Sequence, residues 1–135
     1  MQFVCNLYEF HELYFSVIQN LKIMIYLSIA IFALTAVLGL GILIKWLSKK
    51  DASRTVVYSH GIFAVIALLL LVLYSIQNLD NFPKVSIILF VLAAIGGLYM
   101  FVLDLKKKAS PLIITFIHAL IAVGGFVTLL LFVFV

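Results

Sequence analysis

The sequence predicts an all-α integral membrane protein, an up-down four-helix bundle made of two tandem helical hairpins. The first observation is composition, since 67% of the 135 residues are hydrophobic and only 10% are charged. A soluble domain of this size could not cover its surface with so few polar residues. The second is a set of four apolar runs, each long enough for a bilayer core of roughly 30 Å. The third is an internal repeat with an offset of 58 residues.

Residues 1–22 differ in character from the rest of the chain. Apolar residues recur there every three or four positions, at Phe3, Leu7, Phe10, Tyr14, Val17 and Leu21. This is the period of an amphipathic helix, and its aromatic content favours a helix in the headgroup layer. The polar face lacks Lys and Arg, so the alternative is an incorrectly assigned N-terminal extension, with Met24 as the true start.

The second domain, residues 23–135, contains the four predicted spans. They cover residues 23–44, 56–76, 85–103 and 112–135. In a bilayer the backbone must satisfy its own hydrogen bonds, so each run is expected to be a helix. The short connections predict that consecutive helices are antiparallel neighbours. Ser110 is the expected N-cap of the fourth helix, with Pro111 at its first position.

The net charge of +4 is distributed unevenly. Seven of nine basic residues lie in or beside the first and third connections, and only Lys22 and Lys84 lie on the other side. By the positive-inside rule these two connections are cytoplasmic, and both termini of this multi-pass cell-membrane protein lie outside the cytoplasm. The seven residues are Lys45, Lys49, Lys50, Arg54, Lys106, Lys107 and Lys108. They are topology signals that could also bind anionic lipid headgroups, and no nucleic-acid partner is predicted.

The internal repeat aligns residues 28–77 with residues 86–135 without a gap. This alignment gives 15 identities in 50 positions. The informative matches are Ser28/Ser86, Phe32/Phe90, Gly39/Gly97, Lys49-Lys50/Lys107-Lys108 and His60/His118. A repeat with an even number of spans keeps its orientation, so the halves should be related by an axis along the membrane normal.

The histidine pair is the strongest candidate for a functional site. A histidine inside a membrane-length segment is a functional hypothesis by default, and here it occurs twice in register. The repeat places His60 and His118 at one depth, with Gly39 and Gly97 near the same level. If both helices turn these faces inward, the imidazoles meet across the bundle axis.

A b-type haem between His60 and His118 is the most specific hypothesis for this level. Haem iron takes axial imidazoles, which facing helices of a bundle can supply. Gly39 and Gly97 would let a flat macrocycle approach the backbone. Basic residues could pair with the propionates, namely Lys49, Lys50, Arg54, Lys107 and Lys108. In these two histidine helices and their glycine-bearing partners, the chain resembles bis-histidine b-type membrane cytochromes. The resemblance implies electron transfer or haem handling, with one haem for the one histidine pair.

The sequence also allows other interpretations of the protein's function. Small residues at helical spacing also serve close helix packing, as in a non-catalytic assembly subunit that binds other membrane subunits or a second copy. A small proton-linked transporter could titrate the histidines, although no acid lies inside a span. Two histidines leave a zinc or copper site short of ligands. No hydrolytic or transferase constellation can be assembled, so an enzymatic role would have to be redox chemistry.

Overall fold

The computed structural model describes residues 2–108 and 110–135, with the side chains of Ser16 and of the residues from Gln19 onward. These residues form four helices: α1 (Gln2–Leu47), α2 (Arg54–Gln77), α3 (Lys84–Leu105) and α4 (Leu112–Phe134). Each contains a segment long and apolar enough to cross a membrane, namely Gln19–Leu47 in α1 and the full lengths of the other three. The predicted all-α four-helix membrane bundle is therefore confirmed.

The outer surface of the bundle is apolar. Large hydrophobic side chains are exposed on every helix, including Val37 at 67%, Ile95 at 62% and Leu120 at 71% exposure. An apolar surface this extensive is unfavourable in water and is the expected surface of a protein surrounded by lipid. The exposed faces of the four helices therefore contact the bilayer.

Helix α1 is longer than its membrane span. Its 46 residues correspond to about 69 Å at 1.5 Å per residue, twice the thickness of a bilayer core. The predicted interfacial segment 1–22 is helical from Gln2 and continues into the first span without a break. The side chains of residues 1–15, 17 and 18, which would define its amphipathic face, lie outside the described part of the chain.

The helices pack as two hairpins. Helix α1 packs mainly on α2 and α3 mainly on α4, while the α1–α4 and α2–α3 contacts are sparser. Helices α1 and α3 occupy one diagonal of the bundle, and α2 and α4 occupy the other. The order α1–α2–α3–α4 around the bundle is the predicted up-down arrangement.

The first turns of the two connections at the lysine-rich end of the bundle (residues 48–50 and 106–108) repeat in their backbone hydrogen bonds. Helix α1 ends at Leu47 and α3 at Leu105, 58 residues later. In both copies the next turn contains a lysine in the left-handed region, Lys49 and Lys107, each with φ 54°. The backbone N–H of Lys50 donates to the Lys45 carbonyl at 2.9 Å, and that of Lys108 to the Leu103 carbonyl at 2.9 Å. Both connections are Schellman motifs, which satisfy carbonyls that the helix end leaves free.

Helix α4 begins where the fourth span was predicted, but its N-cap differs by one residue from the prediction. Helix α4 begins at Leu112, and Pro111 rather than Ser110 occupies the N-cap position, with no side-chain capping bond. The Pro111 carbonyl accepts the N–H of Thr115 at 3.2 Å. Proline can serve here because the cap needs only its carbonyl and an extended backbone, both of which Pro111 supplies.

Ile42 and Met100 are buried nearer the lysine-rich end, and the main cluster of buried side chains lies in the other half of the bundle. Its members are Ile25, Phe32, Ala67, Leu71, Tyr74, Phe90 and Leu129. Two pairs are related by the repeat: Leu71 and Leu129 are both fully buried, and Phe32 and Phe90 stack with ring centroids 3.8 Å apart. The buried hydroxyls of Ser28 and Ser86 are satisfied, Ser28 by the Ala67 carbonyl and Ser86 by the Thr128 hydroxyl. The duplication is therefore visible in the packing as well as in the sequence.

Candidate functional site

His60 is held against helix α1 of its own hairpin. Its Nδ1 lies 2.9 Å from the carbonyl oxygen of Thr35. One turn further along α1, Gly39 faces the ring so closely that an added Cβ would lie 2.8 Å from His60 Cε1. No residue larger than glycine fits that position without a shift of the imidazole. The hydrogen bond to the Thr35 carbonyl thus fixes the ring, and Gly39, four residues after Thr35, leaves the space that the ring occupies.

His118 repeats this arrangement on α3. Its Nδ1 lies 2.8 Å from the carbonyl oxygen of Ala93, and a Cβ at Gly97 would lie 3.1 Å from its Cε1. Gly96 adds a second open position, where a Cβ would lie 3.7 Å from both Cβ and Nδ1 of His118. The carbonyl, the glycine four residues later and the histidine form one unit, which we call the carbonyl–glycine–histidine unit. The duplication preserves it although Thr35 and Ala93 differ in side chain.

The carbonyl partners determine the tautomer of both rings. A carbonyl oxygen only accepts, so Nδ1 of each imidazole carries the hydrogen and Nε2 carries the free lone pair. Metal-binding histidines are oriented in this way, with one ring nitrogen donating to a carbonyl or carboxylate. Among the described residues, Nε2 of His60 and Nε2 of His118 have no hydrogen-bond partner. No side-chain nitrogen or oxygen that lacks a partner is fully buried there, so neither Nε2 atom is fully buried. Both lone pairs are therefore available to a ligand.

The two rings meet across the bundle, as the repeat predicts. Their centroids are 6.3 Å apart and their planes are inclined at 66°. Because His60 lies on α2 and His118 on α4, the pair spans one diagonal between the hairpins. Both rings are half-buried. The contact brings together two imidazoles from different hairpins, each with one uncommitted nitrogen.

The donor set restricts what this site can bind. Within the described part of the chain no group of three or more His, Cys, Asp or Glu side chains comes together. Zinc and copper sites usually need three or four protein ligands, so the pair alone is a poor site for either ion. Haem iron is different, since the macrocycle supplies four donors and the protein has to supply only the two axial ones.

The remaining predicted residues lie in two different places. Gly39 and Gly97 lie at the histidine level, but the space they open is filled by the imidazoles themselves rather than left for a macrocycle. The predicted propionate partners are all exposed at the lysine-rich end: Lys49, Lys50, Arg54, Lys107 and Lys108. Arg54 begins α2 six residues before His60, about 9 Å away along the axis.

Two features of this level were not predicted from the sequence. Nothing in the residue types of Thr35 and Ala93 marks their carbonyls, because every residue has one. The Phe32/Phe90 match was visible in the repeat, but only the structure places the two rings in face-to-face contact. The sequence signal for this stack was the matched phenylalanine two helical turns before each glycine.

No family model matches the chain, and neither does any curated protein or solved structure.

Proposed function

We propose that this protein binds one b-type haem between His60 and His118 and serves in membrane electron transfer. The observation that supports this most is the pair of carbonyl–glycine–histidine units. Each holds its imidazole by Nδ1 and leaves Nε2 uncommitted, with the two ring centroids 6.3 Å apart. The likeness to bis-histidine b-type cytochromes in the sequence points in the same direction.

The ring separation is short enough for both histidines to hold one metal. Imidazole nitrogens lie about 2 Å from the metals they bind, and the ring centre lies about 1 Å behind its nitrogen. With 6.3 Å between the ring centroids, His60 and His118 would hold one haem iron if both Nε2 atoms faced it.

Electron transfer is favoured over oxygen chemistry by the number of protein ligands. A bound haem would supply a one-electron couple whose potential depends on its axial ligands and surroundings. His60 and His118 would both be engaged in holding the haem, and the chemistry it would supply there is electron transfer. The chain's own contribution is to hold both rings, since the Thr35 and Ala93 carbonyls fix their orientation and Gly39 and Gly97 allow their close approach.

Absorption spectroscopy of the purified protein tests the proposal. The wild-type chain, supplied with haem during expression or after purification in detergent, should show a Soret band. The band should disappear in His60→Ala and in His118→Ala. His11→Ala is the matched control, since it removes the remaining histidine of the chain and should leave the band unchanged.

Two results would contradict the proposal. One is a wild-type protein that stays colourless after haem is added. The other is a Soret band that persists when His60 and His118 are both replaced, since haem would then be bound elsewhere. In either case the assembly subunit and the proton-linked transporter become the leading hypotheses. Co-purifying subunits would support the first, and proton-dependent flux in liposomes the second.

A further inference from the structure

The two histidines pack against helix faces that differ in bulk. On each face, the residue whose carbonyl accepts from the imidazole is followed three and four positions later by residues on the same side of the helix. Beside His118 on α3, these residues are Ala93, Gly96 and Gly97. Beside His60 on α1, they are Thr35, Leu38 and Gly39. The glycine is common to both faces, and the other two residues are smaller on α3.

Gly96 is the largest of these differences. A Cβ added there would lie 3.7 Å from both Cβ and Nδ1 of His118, which is ordinary van der Waals contact, so this position adjoins the imidazole directly. A leucine would bring further carbon atoms next to the ring. The repeat has a leucine, the half-buried Leu38, at the corresponding position of α1. His118 therefore has no side chain from α3 at a position that α1 fills with an isobutyl group.

The next residue on the same face differs in the same direction. Seven positions after the bonded carbonyl, α1 has Ile42 and α3 has Met100, and both are buried. The β-branched isoleucine is restricted about its first side-chain bond, whereas methionine is unbranched and adapts to its surroundings. The α3 face is therefore smaller or more adaptable at every position where the two faces differ. It leaves His118 more freedom than α1 leaves His60.

A ligand held by both histidines requires one ring to move. The ring centroids are 6.3 Å apart, within the range of aromatic rings in direct contact, so a ligand enters between them only when one ring is displaced. We infer that His118 is the histidine that moves to admit the ligand, that His60 stays fixed, and that Gly96 is the positioning residue that permits the movement. The inference rests on the proposed function in that one ligand is held by both rings, and it gives the two histidines unequal roles.

Ring motion in the ligand-free protein tests the inference. NMR relaxation dispersion on isotope-labelled histidine side chains detects motion on the microsecond-to-millisecond timescale. The chain has three histidines, whose signals are assigned from His11→Ala, His60→Ala and His118→Ala. In the wild-type protein in detergent, exchange is expected for His118 and not for His60.

Reciprocal substitutions at the two corresponding positions provide matched variants. Gly96→Leu gives α3 the residue of α1 and should abolish the exchange of His118. Leu38→Gly gives α1 the residue of α3 and should produce exchange at His60. Gly96→Ala is the milder variant, because its Cβ makes only ordinary contact with the ring. It should reduce the exchange of His118, and it keeps the test valid if Gly96→Leu does not fold.

The rate of haemin association gives a second measurement. Gly96→Leu should slow association at least about tenfold, because the added side chain raises the barrier to displacing the ring. Leu38→Gly should not slow it, since it removes a side chain beside the fixed histidine.

The outcomes separate this inference from the function on which it rests. Exchange at both rings equally, at His60 alone or at neither ring of the wild-type protein would overturn it. Exchange of His118 that is unchanged in Gly96→Ala would overturn the role of Gly96. If haemin does not bind the wild-type protein, the proposed haem function fails, and the comparison of the two ring motions alone decides this inference.

Discussion

A Cβ atom added at Gly39 would lie 2.8 Å from Cε1 of His60, closer than side-chain carbons ordinarily approach. The corresponding distance from Gly97 to His118 is 3.1 Å. Both halves of the chain therefore contain the same glycine–histidine contact, which is tighter at Gly39 than at Gly97. In each half the glycine makes room for the imidazole, and the carbonyl four residues earlier holds it in place.

Gly39→Ala is the first test of this arrangement. The added methyl group must push His60 from its position or break its hydrogen bond to Thr35, so a loss of about 1–3 kcal/mol in the free energy of unfolding is expected. Gly97→Ala should cost less, because a shift of a few tenths of an ångström relieves the contact. Unfolding in mixed micelles, followed by circular dichroism, measures both.

Gly41→Ala is the matched control for both substitutions. Apart from its chain neighbours and the backbone of its own helix, nothing described lies within 4 Å of an added Cβ at Gly41, which is in the same helix as Gly39. Alanine has the higher helix propensity, so this variant should be unchanged or more stable by up to about 1 kcal/mol. If Gly39→Ala proved as stable as Gly41→Ala, the close packing of His60 on α1 would be wrong.

Lys49 and Lys107 adopt a left-handed backbone conformation that is unfavourable for lysine and favourable for glycine. Both have φ 54° at the position of a Schellman motif where glycine is usual. A side chain in the left-handed region costs about 1 kcal/mol, so Lys49→Gly and Lys107→Gly should each stabilise the protein by up to that amount. Lys50→Gly is the control. Lys50 does not have a positive φ, so its substitution should be neutral or destabilising. The same unfolding measurement distinguishes these outcomes, and a loss of stability in both left-handed variants would contradict the expectation.

The parts of the fold that were predictable are those with a periodic or repeated signal. Membrane-length apolar runs specify helices, because lipid offers the backbone no other partner. The repeat predicted one depth for His60 and His118, and it predicted their meeting only if both helices turn these faces inward. The left-handed turns were not predictable, since a lysine stands where glycine would have marked them. Nor were the Thr35 and Ala93 carbonyls, which became visible only once α1 and α3 were placed beside the histidines.

The charge asymmetry of the chain predicts how the bundle is oriented in the membrane. By the positive-inside rule, the lysine-rich end is expected in the cytoplasm. In a Cys5→Ser background, single cysteines at the exposed positions Asp51 and Asp80 report on the two ends. A membrane-impermeant maleimide should label Asp80→Cys in intact cells and Asp51→Cys only after permeabilisation. The reverse labelling pattern would show that the lysine-rich end lies outside the cytoplasm. It would leave the fold and the histidine site as described.

The Phe32–Phe90 stack predicts an energetic coupling between α1 and α3. Phe32→Ala and Phe90→Ala should each reduce the free energy of unfolding by about 3 kcal/mol, since both rings are buried and each loses its partner. The double variant should lose less than the sum, by about 0.5–1.5 kcal/mol, because the stack can be removed only once.

Tyr26 and Phe134 provide the control pair for this cycle. Their rings are 6.3 Å apart at an angle of 50°, and Tyr26 is 50% exposed and Phe134 65% exposed. Alanine at these two positions should give effects that add within about 0.5 kcal/mol. Additive effects at Phe32 and Phe90 would mean that the rings do not share one contact.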